Sequence, residues 1–244
     1  VTSPPNKASA PEPRRHVGLA LLVVVGTAIG LALQSGALRI PPEWNPWAPL
    51  AVADPTTLVT RFKLRRLADD PVACRAALDT SALRFASEPD RSEDGNCGWR
   101  DAVRVSGLPA RVGTPFVLTC PAAVSLALWE HHRLQPLARQ HFGQPVVRVD
   151  HYGSYACRNV RGGVSGRRSE HAGANALDVA GFTLADGRRI TVARDWAGSG
   201  PASAFLHDVH AGACDFWNVV LSPNYNAAHR DHLHLDRAPY RVCR

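Results

Sequence analysis

From Val17 through Leu38 the sequence carries no charged side chain, and this run constrains the chain more than any other feature. "VGLALLVVVGTAIGLAL" is long enough to cross most of a bilayer of ~30 Å. It therefore sets one segment in lipid and leaves the remainder to fold in water. Arg14 and Arg15 flank its N-terminal side, so the positive-inside bias predicts that end in the cytoplasm and the C-terminal remainder across the membrane. A cleaved signal peptide is the competing reading, because Ser35 and Ala37 form a small-x-small site. The uncleaved anchor over 17–38 is preferred, since the apolar core of a signal typically runs only ~7–15 residues. Residues 1–16, rich in Pro, Ser and Ala, predict a disordered cytoplasmic tail. After the apolar run, "RIPPEWNPWAP" holds four prolines in eleven residues and predicts a stiff spacer over 39–53. Trp44 and Trp47 within it suit either a membrane interface or packing on the domain.

All six cysteines fall beyond the apolar run, in the soluble domain expected over 54–244. None forms a Cys-x-x-Cys pair, which argues against a thiolate zinc site or a redox motif. An even number on one side of a membrane predicts disulfides and an oxidising compartment. Their pairing is not readable from spacing. The net charge of +7 comes from scattered arginine with no basic block interleaved with aromatics, which argues against nucleic acid. An anionic envelope polymer or a membrane surface fits such a charge equally well.

The domain mixes both periodicities. "TCPAAVSLALWEHHRLQPLARQHFG" predicts a helix that starts at Pro121, caps at Gly143, turns Val124, Leu128 and Trp129 inward and is kinked or divided by Pro136. "PVVRVDHYGSYACR" predicts a strand that runs into a turn. "DVAGFTLADGRRITV" predicts a hairpin folding at Asp186-Gly187. "PASAFLHDVHAGAC" predicts a short helix with Phe205, Leu206 and Val209 on one side, and "RDHLHLD" a last strand. The expectation is an α+β fold with an antiparallel sheet and flanking helices, preceded by one transmembrane helix.

Strand alternation places His232, His234 and Asp236 on one face of the last strand and Leu233 and Leu235 on the other. Upstream, "SEHAGANALDVAGF" sets His171 and Asp178 seven positions apart in a Gly/Ala-rich segment. Two imidazoles and a carboxylate suit zinc, and a catalytic zinc site takes three protein ligands and keeps a fourth position open. His171, Asp178 and His234 make such a set, predicting one Zn2+ per chain. Asp236 either supports a ligand histidine or pairs near Arg237. His131, His132, His141, His207 and His210 fall on helical stretches and read as surface or core-edge residues.

"Ser169-x-His171-x-x-x-x-Ala176-x-Asp178" with "His232-x-His234" downstream resembles the zinc peptidases that cut D-amino-acid bonds in peptidoglycan. These have the D-Ala-D-Ala carboxypeptidase, lysostaphin and hedgehog type of fold. More closely, the run from Cys74 to Cys243, with "GSYACR", "SEHAGANALDVAGF", "DGRRITV" and "NYNAAHRDHLHLD", resembles the bacterial extensin-like C-terminal domain family. The resemblance implies His171, Asp178 and His234 as metal ligands. It also implies a general base at Asp231, three residues before the last ligand, where the peptidases usually carry Glu. His232 is the alternative, as base or as donor to a developing oxyanion. Arg158 falls at a position implied to contact a substrate carboxylate or carbonyl. Ser169 and His229 are expected to orient these groups from behind. The resemblance thus implies a membrane-anchored periplasmic zinc peptidase acting on peptidoglycan. A non-catalytic wall-binding module that keeps the pocket is the alternative.

Overall fold

The computed structural model describes residues 14–93, 96–163 and 165–244, and it resolves into two compact units, one ending at Pro41 and one spanning Pro42–Arg244. The first unit contains α1 (Arg14–Gln34), whose Val17–Gln34 window is long and apolar enough to cross a membrane, a property shared by signal sequences. Most of the tail expected over 1–16 lies outside the described residues; α1 takes in Arg14, Arg15 and His16.

The second unit starts at Pro42, ahead of the expected boundary at Asp54. The proline-rich segment is strapped onto α2 (Leu58–Arg66): the buried Lys63 Nζ donates to the carbonyls of Pro42 and Pro49 at 2.6 and 3.3 Å. Arg66 Nη1 donates to that of Pro46 at 3.2 Å. Leu50 and Val52 then enter the core, so this stretch behaves as a wall of the domain. Thr57 caps α2 and Asp70 caps α3 (Pro71–Asp79), each satisfying an orphan amide of the first turn.

Six strands follow: β1 (Arg84–Ser87), β2 (Arg91–Glu93), β3 (Cys97–Trp99), β4 (Ala102–Gly107), β5 (Arg111–Val112) and β6 (Phe116–Thr119). α4 (Cys120–Trp129) is next, and its residues 122–129 are buried on every side. Such an all-round apolar helix is a core element, which exceeds the one-sided packing expected of it. Pro136 divides the helix as expected. Its missing N–H is absorbed by a π turn over Glu130–Leu134 that leads into α5 (Gln135–Phe142), and Gly143, at φ +69°, closes the end. β7 (Val146–Gly153), β8 (Ala176–Leu184), β9 (Arg189–Thr191), α6 (Val192–Asp195), α7 (Pro201–Ala213), β10 (Val219–Leu221), β11 (Leu233–Asp236) and β12 (Val242–Cys243) complete the chain.

Among the described residues the sheets are three, not one. β1, β4 and β6 form an antiparallel sheet, and β2 pairs with β3. A seven-stranded sheet runs β12-β10-β11-β8-β7-β5, with β9 paired to β8. It is mixed, because β10–β12 and β5–β7 are parallel while the remaining pairs are antiparallel. The β8–β9 hairpin turns at Asp186-Gly187 as the sequence predicts, with Gly187 at φ +88°. Gly181 lets β9 approach, since a Cβ there would lie 2.5 Å from the Ile190 carbonyl oxygen. Burial of Phe182, Phe205, Trp129 and Leu128 packs this sheet against α4 and α7. All six cysteines are paired: Cys74–Cys120, Cys97–Cys157 and Cys214–Cys243.

Candidate metal centre

The site grows from one register. β8 and β11 pair antiparallel with His234 opposite Asp178, which sets the imidazole beside the carboxylate in the middle of the sheet. His171 arrives from a 3-10 turn over Glu170–Gly173, just before β8. The turn is capped by Ser169 Oγ, which accepts from the His171 amide at 3.4 Å, and reversed by Ala174 in the left-handed region at φ +51°. Turn plus reversal accounts for the seven-residue interval: the chain folds back so that His171 and Asp178 meet.

His234 Nδ1 lies 2.9 Å from Asp178 Oδ1 and 3.1 Å from His171 Nε2. His171 Nε2 lies 3.2 Å from Asp178 Oδ2. Each of the three residues offers one ligand atom, all within 4.8 Å of one another. His171 and His234 are buried and Asp178 is nearly so. The outer nitrogens are tethered. His171 Nδ1–H donates to the Ser154 carbonyl at 2.9 Å, and His234 Nε2–H donates to Asp236 Oδ2 at 2.9 Å. These tethers leave the inner nitrogens, His171 Nε2 and His234 Nδ1, with lone pairs facing each other and the carboxylate. Three inward acceptors at this range repel unless a cation or a proton lies between them. Zinc bonds of ~2.0–2.1 Å at tetrahedral angles separate donors by ~3.3 Å, close to the spacings found. The donor set therefore fits a divalent metal.

Without a metal, a proton takes the place. Burial opposes charge on His234, but hydrogen bonds to Asp178 and Asp236 outweigh it and raise its pKa to about 9. Burial likewise pushes Asp178 up, yet the hydrogen bonds from His171 and His234 hold it well below the usual carboxylate range.

Asp178, His234 and Asp236 border a cleft of about 250 Å³ that also takes in Arg158, Ser169, His229 and His232, while His171 lies buried beside them. The family model described as extensin-like protein C-terminus matches residues 72–244, a span that contains the whole cluster and all six cysteines. The chain belongs to this family. No curated protein and no solved structure matches it.

In this extensin-like domain the remaining expected residues take distinct places. His232 lies outside β11, so strand alternation does not govern it. Its Nδ1 bonds to Asp231 Oδ1 at 2.9 Å, and its Nε2 sits 3.5 Å from Asp178 Oδ1. Asp231 does not border the cleft, although its side chain is more exposed than that of His232. Asp236, which the sequence left open, supports His234 and also accepts the Ala238 amide at 2.8 Å. The His234/Asp236 face of β11 is buried like the leucine face, as the floor of the cleft.

His229 bonds to Asn226 Oδ1 through Nδ1 at 2.8 Å, and its ring lies 5.3 Å from that of His232. Its ring also lies 5.7 Å from that of His234, edge-on. Burial, then His234 and His232, bring its pKa down to about 4, so it is neutral near pH 7. Arg158 is exposed on the cleft rim, immediately after Cys157, whose disulfide to Cys97 anchors that loop. Tyr225, Arg167 and Tyr240 share the rim, with the Arg167 guanidinium 5.0 Å over the Tyr240 ring. No motif pointed to Arg167 or Tyr240, and Ser154 and Tyr225, though inside quoted motifs, were given no role; Ser154 acts through its carbonyl and leaves no side-chain signal.

Proposed function

We propose that this chain is a zinc-dependent peptidase of the bacterial cell envelope, anchored in the inner membrane by α1, that hydrolyses amide bonds in peptidoglycan peptides from the periplasmic side. The observation that carries the reading is the convergence of two outward-tethered imidazoles and one carboxylate, of which His234 and Asp178 border an open cleft. The three disulfides favour an oxidising compartment.

His171, Asp178 and His234 would hold the ion. Zinc in such a site supplies Lewis-acid polarisation of the scissile carbonyl and lowers the pKa of water. Arg158 offers a planar fork to a peptide carboxylate or carbonyl entering the cleft. His232 takes the base role in preference to Asp231, because it borders the cleft and Asp231 does not. Asp231 accepts the Nδ1–H of His232, which fixes the tautomer and leaves Nε2 free to accept a proton from the attacking water. The same Nε2–H then serves the leaving amine.

The test is digestion of purified peptidoglycan by the full-length chain with zinc or with a chelator, followed by separation of the muropeptides. New peptide termini that appear only with metal support the enzyme. Tight wall binding with no cleavage would assign the non-catalytic binding module instead.

A further inference from the structure

Away from the metal centre, a second and much smaller cleft of about 20 Å³ is bordered by Arg61, Arg65, Arg237, Arg241, Trp217 and Asp215. We propose that it is a binding site for a small inorganic anion of chloride size. The guanidiniums come from three segments: α2 supplies Arg61 and Arg65, the turn after β11 supplies Arg237, and the C-terminal stretch supplies Arg241. Among the described residues only one carboxylate, Asp215, borders the cleft, and it is already engaged. Arg133 donates Nε and Nη2 to its Oδ2 at 2.8 and 2.6 Å, and Arg61 Nη2 lies 3.8 Å from its Oδ1.

Two buried N–H donors of residues that border this cleft have no acceptor: Arg237 Nε and Trp217 Nε1. The other Arg237 nitrogens are spent on the carbonyls of Phe216 and Leu64, at 3.2 and 3.4 Å. A buried donor left unpaired is costly, and native proteins rarely keep one. The crowding of like charge shows in the side chains themselves. Burial and then Arg65 lower the pKa of Arg237 to about 10, and burial and then Arg241 lower that of Arg61. A water molecule fits the volume, since one needs only about 10–15 Å³. Water accepts N–H groups but leaves the positive charge uncompensated. An anion of the same size does both, and it fastens α2, the turn after α7 and the C-terminal segment together.

The test uses the full-length chain in neutral detergent, melted in sodium chloride or in sodium gluconate at constant ionic strength; gluconate is too large for the cleft. The wild type is expected to melt higher in chloride, with a saturable increment. Trp217→Phe keeps the ring and removes the N–H, and Arg65→Gln removes an exposed charge without disturbing the core. Each should raise the half-saturating chloride concentration, Trp217→Phe by roughly tenfold, the worth of one charge-assisted hydrogen bond. If Trp217→Phe does not fold, Arg65→Gln carries the test, with a severalfold rise expected. Equal melting of the wild type in both salts overturns the proposal, as does a chloride increment unchanged by the substitutions.

Discussion

The metal-free cluster holds a proton where a metal would sit, so metal affinity must depend on pH in a specific way. With a pKa of about 9, His234 is protonated at neutral pH, and a zinc ion entering between His171, Asp178 and His234 has to displace that proton. At pH 7, two units below that value, displacement costs about 3 kcal/mol, or ~100-fold in apparent affinity. Affinity should therefore rise about tenfold per pH unit from 7 to 9 and then level off, whereas an ordinary histidine would level off near 6.5. The sign for stability follows from the same shift. A histidine whose pKa is raised on folding stabilises the metal-free protein fully below about 6.5 and loses that contribution as pH climbs through about 9, a term of order 3 kcal/mol. Competition titration against a chromophoric chelator at pH 7, 8 and 9 measures the slope, and calorimetry in buffers of different ionisation enthalpy counts the proton released. Asp236→Asn removes one of the groups that raise His234 and should flatten the profile. An affinity that is the same at pH 7 and 9, with no proton released, would refute the reasoning.

Four further outcomes are expected. His232→Gln should keep metal and lose ~10²–10⁴-fold in turnover, while Asp231→Asn should lose less and shift the pH profile; the reverse order in muropeptide kinetics would return the base role to Asp231. A reporter fused after Arg244 should be active in the periplasm, and opening Cys97–Cys157 by a double Cys→Ser change should cost about 2–5 kcal/mol in denaturant unfolding. Burial raises the pKa of Glu130, in the π turn, so its wild-type carboxylate destabilises the fold as pH rises above its ordinary range. Glu130→Gln should melt higher than wild type at pH 7 and lose that advantage in acid.

Much of the site was legible because it rests on local patterns. The β8–β9 hairpin carries a strong turn dipeptide, Pro136 marks the divided helix, and the leucines of β11 alternate with His234 and Asp236. Where the pattern was too short, sequence reasoning stopped. Most strands between Arg84 and Thr119 hold only two to four residues, too few to show a period, so the antiparallel sheet of β1, β4 and β6 left no trace. The docking of the spacer was not legible for a different reason. Prolines exclude a helix whether a segment is free or docked, and docking depends on Lys63, a residue that sequence reading assigns to solvent. That His232 and not Asp231 borders the cleft was not legible, because the start of β11 at Leu233 is a boundary that alternation does not locate.

The central claim is that His171, Asp178 and His234 together form one metal centre, and zinc stoichiometry tests it most directly. Elemental analysis of the full-length chain purified without chelator should find about one zinc per chain, as a mononuclear site requires. His171→Ala and His234→Ala should each purify folded, with disulfides intact, and without zinc. Zinc retained at the wild-type level in both variants would contradict the account.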